Sequence, residues 1–186
     1  MTHQDVLNYW FSSQSEKHWF DSTPEIDNEI THKFEGLWKN AVLGELNDWQ
    51  DSPEGALALI IVLDQFPLNM YRGQAQCFSS ESLSLECCFY ALVKGYDKKM
   101  QEAELVFLLM PLGHSENLNY QNLHLELVEK YTKSGKIKEP DVLRFAKHHR
   151  DLVEEFGRFP HRNSILGRES TVEELNYLAS DRAFKG

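Results

Sequence analysis

The chain has 186 residues, of which 41% are hydrophobic and 26% are charged, and its formal net charge is -10. This length and composition are typical of one soluble globular domain, and the acidic balance argues against a nucleic-acid-binding protein. The longest apolar run, Ala56 to Leu63, is far shorter than the roughly 20 residues that a membrane-spanning helix needs. We therefore expect neither a nucleic acid nor a membrane as a partner.

The cysteines and the N-terminus indicate a cytoplasmic protein. Cys77, Cys87 and Cys88 are odd in number and form no CxxC pair, so we expect thiols in a reducing compartment. The opening MTHQDVLNYWF lacks a basic stretch followed by an apolar run, so no signal peptide is expected. The sequence also has no glycine-rich phosphate loop and no dinucleotide fingerprint, and we expect no cofactor.

Nearly every segment has the helical period, and no segment alternates as a strand does. Thr23-Pro24-Glu25 and Ser52-Pro53-Glu54 each combine a cap, a proline in the first turn and an acid, which is the pattern of a helix start. The second start opens the ALALIIVL run, which is apolar on all sides and is predicted to be central. Further starts are predicted at Thr2, Ser80, Ser115, Pro140 and Ser170, where Ser170 and Glu173 have the spacing of a capping box.

Proline and glycine residues predict where these helices end. Pro67 is predicted to interrupt the central helix, and Pro111 to stop a helix that begins near Gln101. Gly95 and Gly157 are predicted to follow helix ends. Residues 132–140 are the best linker candidate, but no boundary is strong enough to split the chain. We therefore predict an all-α fold of about eight helices in a single domain, residues 1–186.

The segment LDQFPLNMYRG places Asp64 and Gln65 directly after the buried run. A buried carboxylate is costly unless it is paired, and Arg72, or an arginine from elsewhere in the chain, is its natural partner. Two interpretations stay open: a salt bridge that ties helices together, or a carboxylate in a pocket wall that orients a ligand or a basic side chain.

The segment MPLGHSEN forms a tight corner at Pro111 and Gly113. Ser115 is expected to cap the next helix and Glu116 to lie in its first turn, near the positive end of the helix dipole. His114 has no such local explanation. It is a candidate ligand donor, and bonding to a carbonyl is the structural alternative.

The segment FGRFPHRN carries more donors than the end of a helix requires. Arg158 can meet the last carbonyls of the preceding helix, but His161, Arg162 and Asn163 lie beyond it. Arginine suits a bidentate grip on a carboxylate or phosphate, and residues 144–168 hold five arginines and one lysine against three acids. The alternative is that these arginines pair with the protein's own acids.

Metal binding is a second chemical interpretation. His114, His149 and His161, together with Glu116 or Asp64, would supply nitrogen and oxygen ligands. However, no HxxxH or HExxH spacing places two histidines on one helix face.

These motifs, with PEGALALIIVLDQFPLNMYRG and FGRFPHRNSILGREST, resemble a bacterial family known as domain of unknown function number 924. The resemblance extends over nearly the whole chain and implies a tetratricopeptide-like stack of helical hairpins. The family motif DQFPRN has an arginine where this chain has Leu68, so one expected donor is replaced. The resemblance implies a fold and no particular reaction.

Three hypotheses about function follow. The first is a pocket for a small anionic ligand, a carboxylate or a phosphate, with no reaction specified. The second is a tetratricopeptide-like scaffold that binds a peptide or protein in a helical groove through Trp19, Phe20 or Tyr120. The third is a purely structural polar network. The predicted pocket residues are Asp64, Arg72, His114, Glu116, Arg158, His161, Arg162, Asn163 and Arg168.

Overall fold

The computed structural model describes residues 1–183, and these residues form helices and no strands. The α-helices are α1 His3–Trp10, α2 Pro24–Val42, α3 Pro53–Ile60, α4 Phe66–Met70, α5 Glu81–Val93, α6 Glu102–His114, α7 Leu118–Lys133, α8 Pro140–Phe156 and α9 Val172–Leu178. Because a π-helical turn, Ile61–Gln65, joins α3 to α4 without a break, the described residues contain eight continuous α-helical segments, besides five short 3-10 helices. The all-α prediction is confirmed.

The described residues belong to two compact units. The first comprises Met1–Arg72 and Gln76–Pro111, and so contains α1 to α5 and most of α6. The second comprises Gly73–Ala75 and the chain from Leu112 onward, with α7, α8 and α9. The single-domain assignment stays a prediction. No helix within residues 1–183 is both long enough and apolar enough to cross a membrane.

The core of the first unit is the continuous segment formed by α3, the π turn and α4. Every residue from 55 to 67 is buried, and α1, α2 and α5 pack against the segment. This burial confirms the prediction that the ALALIIVL helix is central. Aromatic rings add to the core: Phe34 stacks on Phe66 at 4.4 Å, and Trp10 meets Phe107 edge-on at 5.4 Å.

The π turn explains how the central helix passes Pro67. In an α-helix the N–H of residue 67 would donate to the carbonyl of Leu63, but proline has no N–H. The hydroxyl of Ser80 donates to that carbonyl instead, at 2.6 Å, and the indole Nε1 of Trp38 donates to the same hydroxyl at 3.0 Å. Ser80 is fully buried. The predicted capping role of Ser80 is not observed, because its side chain makes these bonds and no cap hydrogen bond.

The second unit is built on the pairing of α7 with α8. Residues 134–139 connect the two helices, so the loop-like stretch of the sequence lies inside this unit. A small apolar core is formed by Leu152 and Val153 of α8, Phe159 of the following loop and Tyr177 of α9.

Most predicted helix starts and ends are confirmed. The side chains of Thr2, Thr23 and Ser52 accept hydrogen bonds from the first turns of their helices. Pro140 begins α8, and Gly157 follows α8 with a φ of 72°, in the left-handed region that favours glycine.

The interruption predicted at Pro67 is wrong, since the central helix continues through it. Three further predicted boundaries are wrong. Pro111 lies inside α6, which continues to His114; the next residue, Leu112, is fully buried, and such burial offsets the cost of a proline within a helix. The cap of α7 is Asn117 rather than Ser115, so Glu116 precedes the helix instead of lying in its first turn. The last capping box is formed by Thr171 and Glu174, one residue later than predicted.

The hydrogen bond from Ser80 to the Leu63 carbonyl can be tested by substitution. We expect Ser80→Ala to leave the Leu63 carbonyl and the Trp38 indole without partners, at about 1–3 kcal/mol for each group. The free energy of unfolding from urea titration should therefore fall by roughly 2–6 kcal/mol. The matched control is Ser79→Ala, because Ser79 is exposed and only donates to Gln76. Equal stability of the two variants would contradict the account.

Candidate functional site

The predicted pocket residues are divided between the two units. Asp64 and Arg72 belong to the first unit, and the other seven belong to the second: His114, Glu116, Arg158, His161, Arg162, Asn163 and Arg168.

In the first unit, Arg72 pairs with a carboxylate other than the predicted one. Its guanidinium donates twice to Asp27, at 2.7 and 3.1 Å, and once to Asn69. Asp64 is buried and accepts a hydrogen bond from the side chain of Gln65. Of the two predicted partners of Asp64, Arg72 or an arginine from elsewhere in the chain, Arg72 instead pairs with Asp27 on α2, to which its Nε and one terminal nitrogen donate.

Two cysteines of the first unit, Cys87 and Cys88, are not activated nucleophiles. Cys87 and Cys88 lie on α5 and are free and buried. Burial raises the pKa of Cys87 to about 12, and it raises the pKa of Cys88 as well, with the charge of Asp64 acting in the same direction. Both groups therefore remain thiols at neutral pH, whereas nucleophilic chemistry needs the thiolate.

In the second unit, Glu116 holds the beginning and the end of the FGRFPHRNSILGR loop. Its carboxylate receives two hydrogen bonds from Arg168, at 2.6 and 2.9 Å, and one from the backbone N–H of Phe159, at 2.8 Å. Burial alone would raise the pKa of Glu116, but these hydrogen bonds outweigh it and the pKa is lowered. Glu116 is therefore an ionised anchor of the loop.

Glu174 on α9 is a second anchor of the same loop. Arg158 donates to it twice, at 2.6 and 2.8 Å, Asn163 donates at 3.1 Å, and the N–H of Thr171 at 2.8 Å. The bond from Arg158 is the main reason why the pKa of Glu174 is lowered, to about 2. Since Asn163 also accepts from Arg168 at 3.0 Å, the two anchors are linked through this amide.

Phe159 lies at the centre of what we term the Phe159 cluster, which also contains His149, His161 and Arg162. The guanidinium of Arg162 lies over the Phe159 ring, 4.8 Å from its centroid. The ring centroids of His149 and His161 are 5.3 and 5.5 Å from that of Phe159. Arg162 is only 5% exposed. The cluster thus fixes an arginine and two imidazoles around one aromatic ring.

Gly113 is the packing centre of a second group of polar side chains. Gln121 donates to its carbonyl at 2.7 Å and also to that of Ser115, and the ring of His149 hydrogen-bonds to its backbone. The buried ring of His124 lies so close that a Cβ at position 113 would be 2.6 Å from its Cε1 atom. Only glycine fits this position without displacing His124.

Three histidines of the second unit, His124, His149 and His161, are held neutral. Burial lowers the pKa of His124 to about 4 and that of His149 to about 3, and the proximity of His114 lowers both further. The pKa of His161 is lowered to about 4, first by burial and then by the charge of Arg162. At neutral pH these imidazoles therefore offer one N–H donor and one acceptor nitrogen each.

Metal binding finds no support in this geometry. Among residues 1–183, no three or more His, Cys, Asp or Glu side chains are arranged to hold a metal ion. What the second unit presents is a set of arginine and imidazole donors, which suits the binding of an anion.

Sequence reasoning missed four residues of these networks. Asp27 and Glu174 bind arginines that are 45 and 16 residues away in the chain, and Gln121 and His124 pack at Gly113 from the next helix. Only Glu174 had a local signal, since it follows Thr171 at capping-box spacing.

Replacing a glycine within a helix by alanine usually stabilises a protein. The contact between Gly113 and His124 predicts the opposite effect at position 113. We expect Gly113→Ala to destabilise the protein by about 1–3 kcal/mol, because the new methyl group overlaps His124. Gly36→Ala in α2 is the matched control, since nothing lies within 4 Å of its added Cβ, and it should stabilise by roughly 0.5–1 kcal/mol. Unfolding followed by circular dichroism measures both changes. A stabilising Gly113→Ala would contradict the contact.

The buried histidines predict a pH dependence of stability. Their folded pKa values lie below the unfolded value, so the unfolded chain binds more protons in acid, and stability falls as the pH drops from about 6.5 toward about 4. Each histidine can contribute up to about 1.4 kcal/mol per pH unit. Urea titrations at about pH 7 and pH 5 should show a loss that His124→Gln reduces, whereas replacing the exposed His32 should not. Equal stability of the parent at the two pH values would contradict the prediction.

Comparison with known proteins agrees with the resemblance seen in the motifs. The model of a family described as bacterial proteins of unknown function, DUF924, matches residues 6–182. The structure superposes with a TM-score of 0.87 on a protein of unknown function from Agrobacterium tumefaciens; the two are 34% identical, over 95% of this chain and 96% of that one. No curated protein matches the sequence. The chain therefore belongs to the DUF924 family of bacterial proteins of unknown function.

Proposed function

We propose that the protein binds a small anionic ligand, a carboxylate or a phosphate, at the Phe159 cluster of its second unit. Arg162 and His161 would contact the ligand, and His114 would donate from the end of α6. No reaction is part of this proposal, since nothing in the geometry selects one.

The proposal depends on the position of the Arg162 guanidinium. Its guanidinium lies over the Phe159 ring, and this contact limits the motion of the side chain. A guanidinium that is already ordered loses little further entropy when it binds a carboxylate or phosphate. Burial within the unit strengthens the attraction between this cation and an anion.

The neighbouring imidazole supports the same ligand class. His161 responds to the charges of Arg162, Glu116 and Arg168, which places all four groups in one electrostatic environment. A neutral imidazole N–H is a good donor to an anion, and a bound anion would raise the pKa of His161 toward its ordinary value. Ligand binding and proton uptake are therefore expected to favour each other.

The hypothesis of a purely structural polar network explains the roles of three residues of the FGRFPHRNSILGR loop. Arg158, Arg168 and Asn163 bond to Glu174, Glu116 and each other, and so hold the loop in shape. We assign them positioning roles and reserve ligand contact for His114, His161 and Arg162. A ligand role for Asp64 stays a separate prediction in the first unit. We also propose a cytoplasmic location, supported by the three buried cysteines, which form no disulfide.

The test is a thermal-shift titration with inorganic phosphate, sulfate and citrate as probes. A probe at about 100 times its dissociation constant adds about 2.7 kcal/mol of stability, which is a shift of several degrees in a protein of this size. We expect such a shift in the parent and its loss in Arg162→Gln.

Arg144→Gln is the matched control, because Arg144 is an exposed arginine of the same unit that pairs with Asp141 and also lies over an aromatic ring, that of Phe145. It removes the same charge outside the cluster, so its shift should equal that of the parent. No shift of the parent with any probe, or the same loss in both variants, would overturn the proposal. Circular dichroism shows whether Arg162→Gln is folded, and His161→Asn tests the cluster independently if it is not.

A further inference from the structure

The first unit contains an open groove that the proposed anion site does not use. One wall is a single face of α1, on which Gln4, Leu7, Asn8 and Phe11 recur at the spacing of the helix. The volume of the groove is about 620 Å³. On this wall Gln4 and Asn8 are exposed, Leu7 is buried, and Phe11, the C-cap of α1, is half-buried. The accessible part of the wall therefore extends over about 10 Å.

The other wall of the groove is acidic. It is formed by Glu54 in the first turn of α3 and by Ala103 and Glu104 in the first turn of α6. Phe11 and Ala103 are half-buried and provide apolar surface, whereas Leu7 is buried. The amides of Gln4 and Asn8 bond to each other at 2.9 Å along the rim. None of the lining residues is basic.

The charge of the chain is concentrated in the same unit. The residues of the first unit include seventeen acids and seven lysines or arginines, whereas those of the second include twelve of each. The first unit therefore carries the whole net charge of -10. Such a field accelerates the encounter with basic partners and disfavours acidic ones.

We infer that this groove docks a basic amphipathic peptide segment of a protein partner. Apolar side chains of the segment contact Phe11 and Ala103, and its lysines or arginines pair with Glu54 and Glu104. Two turns of a helix match the length of the exposed α1 face, and an amphipathic helix in a groove is a recurring mode of recognition. This inference does not depend on the anion site, because it uses other residues in the other unit.

The experiment measures fluorescence anisotropy of a labelled amphipathic peptide of about fourteen lysine and leucine residues. The parent protein should bind it, and binding should weaken as NaCl rises from roughly 50 to about 300 mM. The same peptide with glutamate in place of lysine should not bind.

Two double variants locate the binding. Glu54→Gln with Glu104→Gln should weaken the peptide by about tenfold or more, and the glutamine at position 104 keeps an acceptor for the N–H of Gln101. Glu45→Gln with Glu86→Gln removes two charges from exposed positions of the same unit outside the groove, and should change the affinity by less than about twofold. Asn8→Lys should abolish binding by placing a cation on the rim.

Three results would overturn the inference: no binding of the basic peptide to the parent, equal weakening in both double variants, or binding of the free polyamine spermine as tight as that of the peptide. The first denies a docking site, the second shows attraction by diffuse charge, and the third shows a site for small amines. Each leaves the phosphate titration of Arg162→Gln unaffected, so the two proposals fail separately.

Discussion

A buried backbone carbonyl that no helical N–H can reach must receive a hydrogen bond from a side chain, because leaving it unpaired costs about 1–3 kcal/mol. Both units are organised around such carbonyls. In the first, Pro67 deprives Leu63 of its helical donor and Ser80 replaces it. In the second, Gln121 serves the carbonyls of Gly113 and Ser115 where α6 ends. The side chains that donate hydrogen bonds to these carbonyls join neighbouring segments within each unit.

The same requirement explains why the polar motifs of the sequence are so dense. The loop after α8 has little regular structure to satisfy its backbone, and two glutamates compensate by binding both arginines and backbone N–H groups. Most of the arginine-rich motif is therefore a folding device. Arg162 and His161 differ from these residues because they lie against the Phe159 ring. The proposed anion site depends on these two side chains.

Local chemistry made much of the fold predictable. Capping residues and first-turn prolines act within three or four residues, so Thr23, Ser52 and Pro140 could be identified from the sequence alone. The continuation of α6 through Pro111 could not, because burial by the rest of the fold decides it. The site was less predictable for the same reason. The partners of Arg72 and Arg158 lie far away in the chain, and the contact of His124 with Gly113 leaves no mark in the sequence beyond a glycine in a helical turn.

The division into two units has a practical consequence for spectroscopy. All four tryptophans and all three cysteines lie in the first unit. Intrinsic fluorescence and thiol labelling therefore follow the opening of that unit alone, whereas the protons taken up by the buried histidines report on the second. If the units unfold at different denaturant concentrations, the optical and the proton-uptake transitions will separate, and their spacing will measure how strongly the stability of one unit depends on the other.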